Sequence, residues 1–499
     1  MKKLFIAVPL FLCHTLMAQE QKPNFLVIVT DDQTYDAIGA GGQYPVKTPN
    51  IDRLMRNGTT FTHAFNQGSW SPAVSIASRT MLITGQYLNH AALNDAYIGG
   101  WGRVKHEQPS TEVTLLGETF RQNGYHTFTT GKWHNSDEAL LKSFDEGKVV
   151  GGGFYESLTE DGKKLQYHRP EKNADWQPDD PAFGGHWNPK VKDIVVVNEK
   201  RMVSPLYRLH RHTSEAYGQA AIEYLQHVSK DQPFFMYVAF NAPHDPRQSP
   251  RRFQEMYPAD AIQMPPSFLP EHPFDQGDGN TRDEQLAPFP RTADAIRLHR
   301  QEYYAIISHA DEVIGRILDE LEYQGLDKNT YIIFTSDHGL AVGNHGLMGK
   351  QNLYDHTLRV PFVVAGPGIQ KGQRADGMIY MQNVYATTCE LAGIEAPATV
   401  DYPSIVPMLK DPKQKGEPYI WASYRHFQRA IRGERYKLIL YPQAKRIQLF
   451  DLQKDPYEIK NLAMDASLEK EKVQLFKLLL AKEKELGNGQ DLGSLADYR

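Results

Sequence analysis

The chain has 499 residues, of which 40% are hydrophobic and 23% are charged, and its formal net charge at pH 7 is -5. This length allows two domains, or one large domain with a smaller one, and the composition is that of an ordinary globular protein. Because no long basic or acidic block is present, a broadly basic surface for nucleic-acid binding is excluded.

Residues 1–18 have the pattern of a secretory signal peptide. Two lysines precede an apolar run over residues 4–12, and Ala18 is the small residue expected before the cleavage site. Leu12 is too large for the position before a lipidated Cys13, so we expect a periplasmic or secreted chain rather than a lipoprotein. No later apolar run approaches the ~20 residues of a membrane span, which predicts a soluble mature protein. Removal of the leader leaves Cys389 as the only cysteine and excludes an internal disulfide.

Four apolar runs share one plan, because polar residues follow each of them directly. The runs cover residues 24–29, 125–130, 234–240 and 330–335. Near-continuous apolar strands are typical of a large, mostly parallel sheet that is buried on both faces. The polar clusters would then meet at the carboxyl edge of that sheet, where open α/β folds bind ligands. In chain order, the clusters contain Asp31 and Asp32, Lys132 and His134, His244, and Asp337 and His338.

Helices are predicted between these strands, which favours an α/β fold. The first covers residues 114–122, the second begins at Ser214 as its N-cap and ends at residue 228, and the third covers residues 294–323 with Gly325 at its C-cap. Two segments, 151–205 and 247–292, are rich in glycine, proline and charge. Long irregular segments in compact domains are usually either functional or disordered, and we expect part of these two to wall a substrate pocket.

The pattern changes after residue 400. Short strands are predicted over residues 419–422, 429–432, 436–440 and 448–451, with a hairpin turn at Gly433 and Glu434, and a helix over residues 467–486. This pattern indicates a small α+β domain with an antiparallel sheet. We therefore expect a catalytic domain over residues 22–400 and a C-terminal domain over residues 401–499.

Three carboxylates are predicted to lie at one edge of the sheet. Asp31 and Asp32 follow one strand and Asp337 follows another. Carboxylates that are brought together raise one another's pKa, and a divalent cation relieves the repulsion. An oxygen-rich ligand set favours Ca²⁺ or Mg²⁺ over zinc. The alternative for the aspartate pair is that it caps the helix that follows it.

The stretch from Ser75 to Gly85 carries the most specific motif. It reads Ser-Ile-Ala-Ser-Arg-Thr-Met-Leu-Ile-Thr-Gly and resembles the signature Cys/Ser-x-Pro-x-Arg, followed by Leu-Thr-Gly, of the formylglycine-dependent (type I) sulfatases. Arg79 and the final Thr-Gly match the signature. Ala77 replaces the usual proline and Ile83 replaces the usual leucine, and alanine at the first position occurs in the serine-type branch.

Further segments resemble sulfatase motifs in the order of that family, namely residues 48–54, 131–134, 242–244, 336–339, 343–350 and 455–462. His338 stands where many members have asparagine, a pattern of the branch that includes choline and iduronate sulfatases. The resemblance covers the chain from residue 24 to about residue 462. It implies an alkaline-phosphatase-like α/β domain, in which helices sandwich the large sheet, with a smaller C-terminal domain.

The resemblance also implies roles for individual residues. Ser75 would be oxidised to formylglycine (3-oxoalanine) by an anaerobic radical maturase, and the metal would be Ca²⁺, with Mg²⁺ as the alternative. The implied metal ligands are Asp31, Asp32, Ser75, Asp337 and His338. The implied catalytic residues are Ser75, Arg79, Lys132, His134, His244 and Lys350. A hydrogen bond to a ligand is the alternative role of His338, and a buried salt bridge is that of Arg79.

The chemistry explains these residue types. A sulfate monoester is anionic, so attack at sulfur requires cations that hold the sulfate oxygens, and Lys132 and Lys350 would supply them. Serine is a weak nucleophile, whereas an aldehyde hydrate on a metal offers a more acidic hydroxyl. Asp337 would be the base, His244 would protonate the leaving alcohol and His134 would assist sulfate release. A plain serine lacks the second hydroxyl that expels sulfate.

We therefore expect a sulfatase that acts on a terminal sugar of a sulfated glycan, with a galacto-configured 4-O-sulfate as the expected substrate. One alternative is a phosphonate or phosphate ester hydrolase of the same fold, and another is a glycan-binding protein whose serine stays unconverted. Asn89, His90 and Asp95 either contact substrate or belong to a plain loop, and Arg425 and His426 are candidates for the pocket rim.

Overall fold

The structure is a computed structural model, and it describes residues 22–94, 113–153, 159–160, 163–164, 168–170, 175–279, 281–487 and 489–499. The predicted signal peptide and Asp95 lie outside the described residues. Among the described helices, none is both long enough and apolar enough for a membrane crossing.

The strands, numbered in chain order, are β1 Asn24–Thr30, β2 Gly58–Phe61, β3 Ala64–Phe65, β4 Gly68–Ser69, β5 His126–Lys132, β6 Glu146–Gly151, β7 Thr159–Glu160, β8 Lys163–Lys164, β9 Lys190–Lys192, β10 Ile194–Val197, β11 Lys200–Val203, β12 Tyr207–Arg208, β13 Phe234–Ala239, β14 Thr330–Ser336, β15 Arg359–Val360, β16 Phe362–Ala365, β17 Gln373–Ala375, β18 Ile379–Tyr380, β19 Ile420–Tyr424, β20 Gln428–Arg432, β21 Tyr436–Tyr441 and β22 Arg446–Asp451.

The α-helices are α1 Pro49–Asn57, α2 Val74–Thr84, α3 Leu88–Leu93, α4 Leu116–Gln122, α5 Asp137–Ser143, α6 Thr213–His227, α7 Arg251–Gln254, α8 Ala293–Tyr323, α9 Asp355–Leu358, α10 Val384–Ala392, α11 Val406–Lys410 and α12 Glu469–Glu485. Short 3₁₀ turns cover Ala259–Ala261, Asp283–Leu286, Asp327–Asn329, Met381–Asn383, Ala466–Leu468 and Leu495–Asp497.

A ten-stranded sheet forms the centre of the molecule, in the order β12-β9-β6-β5-β13-β1-β14-β16-β2-β17. The five adjacent strands β6, β5, β13, β1 and β14 are parallel. β16 pairs antiparallel with both β14 and β2, and β9 pairs antiparallel with both β6 and β12. The predicted parallel sheet is therefore confirmed at its centre, whereas strands outside the centre add antiparallel pairs.

Side chains of β1 show why both faces of this sheet are covered. Phe25, Val27 and Val29 pack into one apolar cluster with α4, α5 and α10. Leu26 and Ile28 point to the opposite face and pack with α1, α6 and α8. Because successive strand residues alternate between faces, an uninterrupted apolar run requires helices on both sides. The result is the predicted three-layer arrangement.

The C-terminal strands form a second sheet, in the order β22-β21-β20-β19-β4, and α12 packs against β20 and β21. The hairpins from β19 to β22 are antiparallel, as the sequence predicts. β4, from the N-terminal part of the chain, joins this sheet in parallel beside β19. The predicted domain boundary at residue 400 stays a prediction, and this strand ties the two parts together.

All four predicted helix starts are wrong by one or two residues: α8 begins at Ala293, with Gln324 rather than Gly325 as its C-cap, and α12 begins at Glu469. α6 begins at Thr213, and its N-cap is His212 rather than Ser214, because the His212 imidazole accepts a hydrogen bond from the Ser214 backbone N–H at 3.2 Å. α4 begins at Leu116, where Glu118 accepts a hydrogen bond from the Leu115 N–H. These caps depend on side chains that propensity alone does not select.

Candidate active site

The carboxyl ends of β1 and β14 bring the three predicted carboxylates together. The Asp31 N–H donates to the Ala242 carbonyl, and the Asp337 N–H donates to the Thr30 carbonyl, each at 3.0 Å. Asp32 then turns into the left-handed region with φ of 72°. Its N–H donates to Oδ1 of Asp337 at 3.1 Å. Backbone contacts between neighbouring strands therefore fix the positions of these side chains.

Helix α2 carries Ser75 in its first turn. All residues of α2 are buried, and its N-terminus faces the carboxylates, because Ser75 Oγ donates to Oδ1 of Asp31 at 2.9 Å. The helix ends at Gly85, which adopts φ of 66° and donates its N–H to the Met81 carbonyl. A left-handed glycine is a common helix end. The signature motif thus forms one buried helix that points Ser75 at the carboxyl edge of the sheet.

Asp31, Asp32 and Asp337 offer one carboxylate oxygen each within 4.8 Å of one another, and all three side chains are buried. Burial, followed by the charge of Asp31, raises the pKa of Asp337 to about 6. Burial also raises the pKa of Asp32 well above its usual range, and both neighbouring carboxylates add to that effect. This repulsion is what a bound cation would relieve, so the three residues fit a hard, oxygen-ligated metal ion.

Three buried cations surround the carboxylates. Lys350 Nζ lies 2.6 Å from Oδ1 of Asp32 and 3.3 Å from Ser75 Oγ. Lys132 forms an ion pair with Asp31, and Arg79 Nε donates to Oδ2 of Asp337 at 3.0 Å. Burial alone would raise the pKa of Asp31, but the surrounding positive charge, first that of Lys132, holds it well below its usual range.

Two histidines complete the predicted constellation. His244 Nε2 lies 3.9 Å from Oδ2 of Asp32, and its Nδ1 lies 2.6 Å from the Asp245 carbonyl oxygen. This carbonyl accepts from Nδ1 and so fixes the ring orientation. Burial lowers the pKa of both His134 and His244 well below 6.5, and the nearby lysines lower it further. Both rings are therefore neutral at pH 7 in the protein alone.

His338 is placed differently from the three aspartates. It is buried beside Asp337, and its Nδ1 lies 3.1 Å from the Gly339 carbonyl oxygen. Among the described residues, the group of mutually close ligand atoms consists of the aspartates without His338. Its role as a metal ligand stays a prediction.

A pocket of about 20 Å³ opens onto Ser75 between Lys132, His134, His244 and Lys350. Its lining also includes Arg282, Asp283 and Gln351, which the sequence did not single out. Arg282 Nη1 lies 2.8 Å from Oδ2 of Asp245, and Gln351 Nε2 donates to Oδ2 of Asp283 at 3.0 Å. Part of segment 247–292 thus lines the pocket, although the sequence gives no signal that selects Arg282 and Asp283 within it.

The remaining candidates lie away from this pocket. Asn89 donates to the Leu486 carbonyl at 2.9 Å, and His90 pairs with Asp401 at 2.7 Å. Arg425 pairs with Asp278 at 3.1 Å, and His426 is exposed. None of the four is among the residues that line the pocket around Ser75.

Comparison with protein families decides the assignment. A model described as Sulfatase matches residues 23–394. The chain belongs to the sulfatase family. It is therefore a sulfuric ester hydrolase, and it has the alkaline-phosphatase-like fold of its solved neighbours. A second model, described as the C-terminal part of N-sulphoglucosamine sulphohydrolase, matches residues 343–485.

Individual sulfatases resemble this one over most of their length. A sulfatase of Formosa agariphila is 28% identical, and the alignment covers 96% of this chain and 91% of that protein. An ulvan-active sulfatase of the same organism is 26% identical, and the alignment covers 94% of this chain and 82% of that protein. Among solved structures, the phosphonate monoester hydrolase of Agrobacterium radiobacter superposes with a TM-score of 0.70 at 21% identity and covers 93% of this chain and 96% of that one.

Proposed function

We propose that this sulfatase releases inorganic sulfate from a sulfate ester on a terminal sugar of a glycan, and that it does so with Ser75 converted to formylglycine. The proposal rests on the contacts of Ser75 Oγ, which lies 2.9 Å from Asp31 Oδ1 and 3.3 Å from Lys350 Nζ. One buried oxygen thus contacts both a candidate metal ligand and a candidate sulfate-binding cation.

The proposed metal is Ca²⁺, with Mg²⁺ as the alternative. Asp31, Asp32, Asp337 and residue 75 would hold it, with His338 as a further ligand. When bound, the ion would supply positive charge that makes the nucleophilic oxygen more acidic and stabilises the sulfate group. The support for this proposal is a buried cluster of three oxygen ligands in which the pKa values of Asp32 and Asp337 stay raised although Lys350 and Arg79 pair with them.

Lys132 and Lys350 would bind the sulfate oxygens. Both ammonium groups are buried and both line the pocket above Ser75. In a site closed to water, positive charges that already face the developing negative charge need no reorganisation during the reaction. Arg79 would hold Asp337 and the Lys132 backbone in place, since it donates to the Asp337 carboxylate and to the Lys132 carbonyl.

Proton transfer would be divided between three side chains. His244 would protonate the leaving alcohol through Nε2. Because Nδ1 donates to the Asp245 carbonyl, this step requires the doubly protonated ring, which the negative charge of a bound sulfate ester would favour. Asp337 would accept the proton of the attacking group. The formylglycine would supply a second oxygen that lets sulfate leave by cleavage at residue 75, and His134 would accept the proton in that step.

The glycan substrate is proposed from the relatives, one of which is an ulvan-active sulfatase. A galacto-configured sugar with a 4-O-sulfate is the first candidate for assay. Conversion of Ser75 would require an anaerobic radical maturase as partner. The leader pattern of residues 1–18 supports export to the periplasm or the medium.

A kinetic comparison tests the reaction class. Enzyme that is co-produced with a serine-type maturase is assayed on 4-nitrophenyl sulfate, 4-nitrophenyl phosphate and a phenyl phosphonate ester. We expect kcat/KM to be highest for the sulfate ester. A clear preference for either phosphorus ester would favour the phosphonate or phosphate hydrolase alternative, which the fold also accommodates.

Peptide mass analysis tests the modification. The peptide that contains Ser75, from enzyme made with the maturase, is expected to be lighter by the hydrogen lost on oxidation and to react with a hydrazide. Protein made without the maturase should contain plain serine and be nearly inactive. Full activity with unmodified serine would overturn the formylglycine proposal, and a chain that is unmodified and inactive in its native host would favour the glycan-binding alternative.

A further inference from the structure

A second cavity adjoins the catalytic pocket. It has a volume of about 230 Å³, and its walls come from residues 271–289 and 346–352. Gln351 lines both cavities. In segment 281–284, Arg282 and Asp283 face the catalytic pocket, whereas Thr281 and Glu284 face the second cavity. Gln351 is therefore part of the wall that the two cavities share.

The lining of the second cavity is suited to a polar ring-shaped ligand. Phe274 and Phe289 supply aromatic surface, and Phe289 is 52% exposed. Gln276 is only 7% exposed, yet its Nε2 has no hydrogen-bond partner among the described residues, and neither has Thr281 Oγ1. Binding sites combine apolar surface with a few polar groups that fix the ligand's orientation. A sugar hydroxyl in the cavity would satisfy these atoms, which folded proteins rarely leave without a hydrogen bond.

The C-terminal strands hold this cavity in shape. Gln428 on β20 donates from Nε2 to the Gln276 side-chain oxygen and to the Gln351 carbonyl, each at 3.0 Å. The hydroxyl of Tyr424 on β19 donates to Asp278 at 2.6 Å, where Arg425 also pairs with the carboxylate. Arg425 therefore braces the rim of the second cavity. Such contacts make a site rigid before a ligand arrives.

The two cavities carry opposite charge. Lys132, Lys350 and Arg282 line the catalytic pocket, whereas carboxylates and no Lys or Arg are among the described residues that line the second cavity. The carboxylates are Glu271, Asp275, Asp278 and Glu284. Arg425 neutralises Asp278 and Arg291 neutralises Glu284, but Glu271 and Asp275 have no ion-pair partner in the described part of the chain. An anionic group placed there would be repelled.

We propose that the second cavity is a subsite for an uncharged sugar that is linked to the sulfated sugar, and that Glu271 and Asp275 exclude substrates with a second sulfate or a carboxylate on that neighbouring unit. This proposal rests on the proposed function, because it assigns the leaving-group side of the same reaction. It accounts for the aromatic rings, the unpartnered polar atoms and the charge contrast together.

A cavity-filling variant tests the subsite. Gly279 lines the cavity, and a Cβ there would meet only Asp275 Oδ1, at an ordinary 3.5 Å, so Gly279→Trp adds bulk without backbone strain. We expect its KM for a singly sulfated disaccharide to rise by roughly tenfold or more, while kcat/KM for 4-nitrophenyl sulfate stays unchanged. Glu390→Gln, at an exposed position on α10 outside both cavities, is the control and should change neither value.

A double variant tests whether Glu271 and Asp275 exclude anionic substrates. Glu271→Gln combined with Asp275→Asn should improve kcat/KM roughly tenfold for a disaccharide that carries a sulfate on each of its two sugars. The same variant should leave kcat/KM for the singly sulfated disaccharide unchanged. Because both positions are exposed, folding is preserved.

The outcomes separate the two proposals. If Gly279→Trp leaves the disaccharide KM unchanged, or if the wild type prefers the doubly sulfated disaccharide, the subsite proposal is overturned while sulfatase activity on the aryl ester stands. If matured wild-type enzyme hydrolyses neither the disaccharides nor 4-nitrophenyl sulfate, the proposed function itself fails. If Gly279→Trp does not fold, the double carboxylate variant still decides the question.

Discussion

The hydroxyl of Ser75 donates to Oδ1 of Asp31 at 2.9 Å, although the two residues belong to different elements and lie 44 positions apart in the chain. Lys350 Nζ donates to Ser75 Oγ at 3.3 Å. The oxygen is thus held between a carboxylate and an ammonium group, both buried. These two hydrogen bonds fix the Ser75 hydroxyl in one orientation, and a nucleophile requires such a fixed position.

Replacing Ser75 tests this arrangement directly. Ser75→Ala removes the proposed nucleophile, so kcat/KM on an aryl sulfate should fall by at least about 10⁴-fold. The loss of one buried hydrogen bond should lower the free energy of unfolding by only about 1 kcal/mol. Thr84→Ala, which removes a buried hydroxyl at the other end of α2, should retain activity. An active Ser75→Ala variant would contradict the assignment of the nucleophile.

Calcium dependence tests the carboxylate cluster. Because three buried carboxylates repel one another, we expect Ca²⁺ to raise the melting temperature and a chelator to abolish activity reversibly. At a free calcium concentration of one hundred times Kd the stabilisation would be about 2.7 kcal/mol. Asp337→Asn should remove the calcium-induced shift, whereas Asp319→Asn, which alters an exposed ion pair with Arg53, should keep it. A shift of equal size in Asp337→Asn would show that calcium binds elsewhere.

The sequence predicted those parts of the site that follow from the sheet. Asp31, Asp32 and Asp337 each follow an apolar strand, and parallel strands bring their carboxyl ends to one edge. His244 and Lys132 come from the next strands, β13 and β5, by the same rule. The apolar runs therefore carried information on the position of these side chains as well as on the fold.

Other parts depend on contacts that no local pattern contains. Arg282 and Asp283 reach the pocket from an irregular segment, and Asp245 and Gln351, from distant positions, orient them. The two-residue strand β4 joins the C-terminal sheet only because β19 offers it an edge. Short elements of this kind gain their stability from tertiary pairing rather than from propensity, so the sequence alone did not predict them.

Acid sensitivity is expected at Glu215 on α6. The hydrogen bond from His309 Nε2, at 2.9 Å, and the ion pair with Arg316 lower the pKa of Glu215 to about 2. A carboxylate whose pKa is lowered on folding contributes stability above its ordinary pKa of about 4.3, and this contribution is lost as the pH falls towards 2.

Glu215→Gln measures this contribution. The variant should be about 1 kcal/mol less stable than the wild type at pH 7, a modest value because the side chain is 29% exposed. Urea unfolding at pH 7, 5 and 3 should show this difference shrinking below pH 5. Glu223→Gln, on the exposed face of the same helix, is the matched control and should show no such trend. A difference that grows as the pH falls would contradict the lowered pKa of Glu215.

A buried lysine links the C-terminal sheet to the large domain. Lys437 on β21 has no exposed side-chain surface, and its Nζ lies 2.7 Å from Asp355 on α9 and 2.7 Å from Glu458. Lys437→Met would leave buried Glu458 without its ammonium partner, whereas Asp355 would keep its ion pair with Arg432, and the change should cost about 3–5 kcal/mol in the free energy of unfolding. Burial already raises the pKa of Glu458 to about 7, so protonation should reduce that cost at lower pH.

Urea unfolding of Lys437→Met at pH 8 and pH 6 should therefore show a larger loss of stability at pH 8. Lys482→Met is the control, because Lys482 pairs with Glu485 near the surface of α12 and such pairs contribute less than about 1 kcal/mol. Equal losses in the two variants would show that the buried carboxylates find other partners. In that case the link between β21 and α9 would rest on apolar packing rather than on this ion pair.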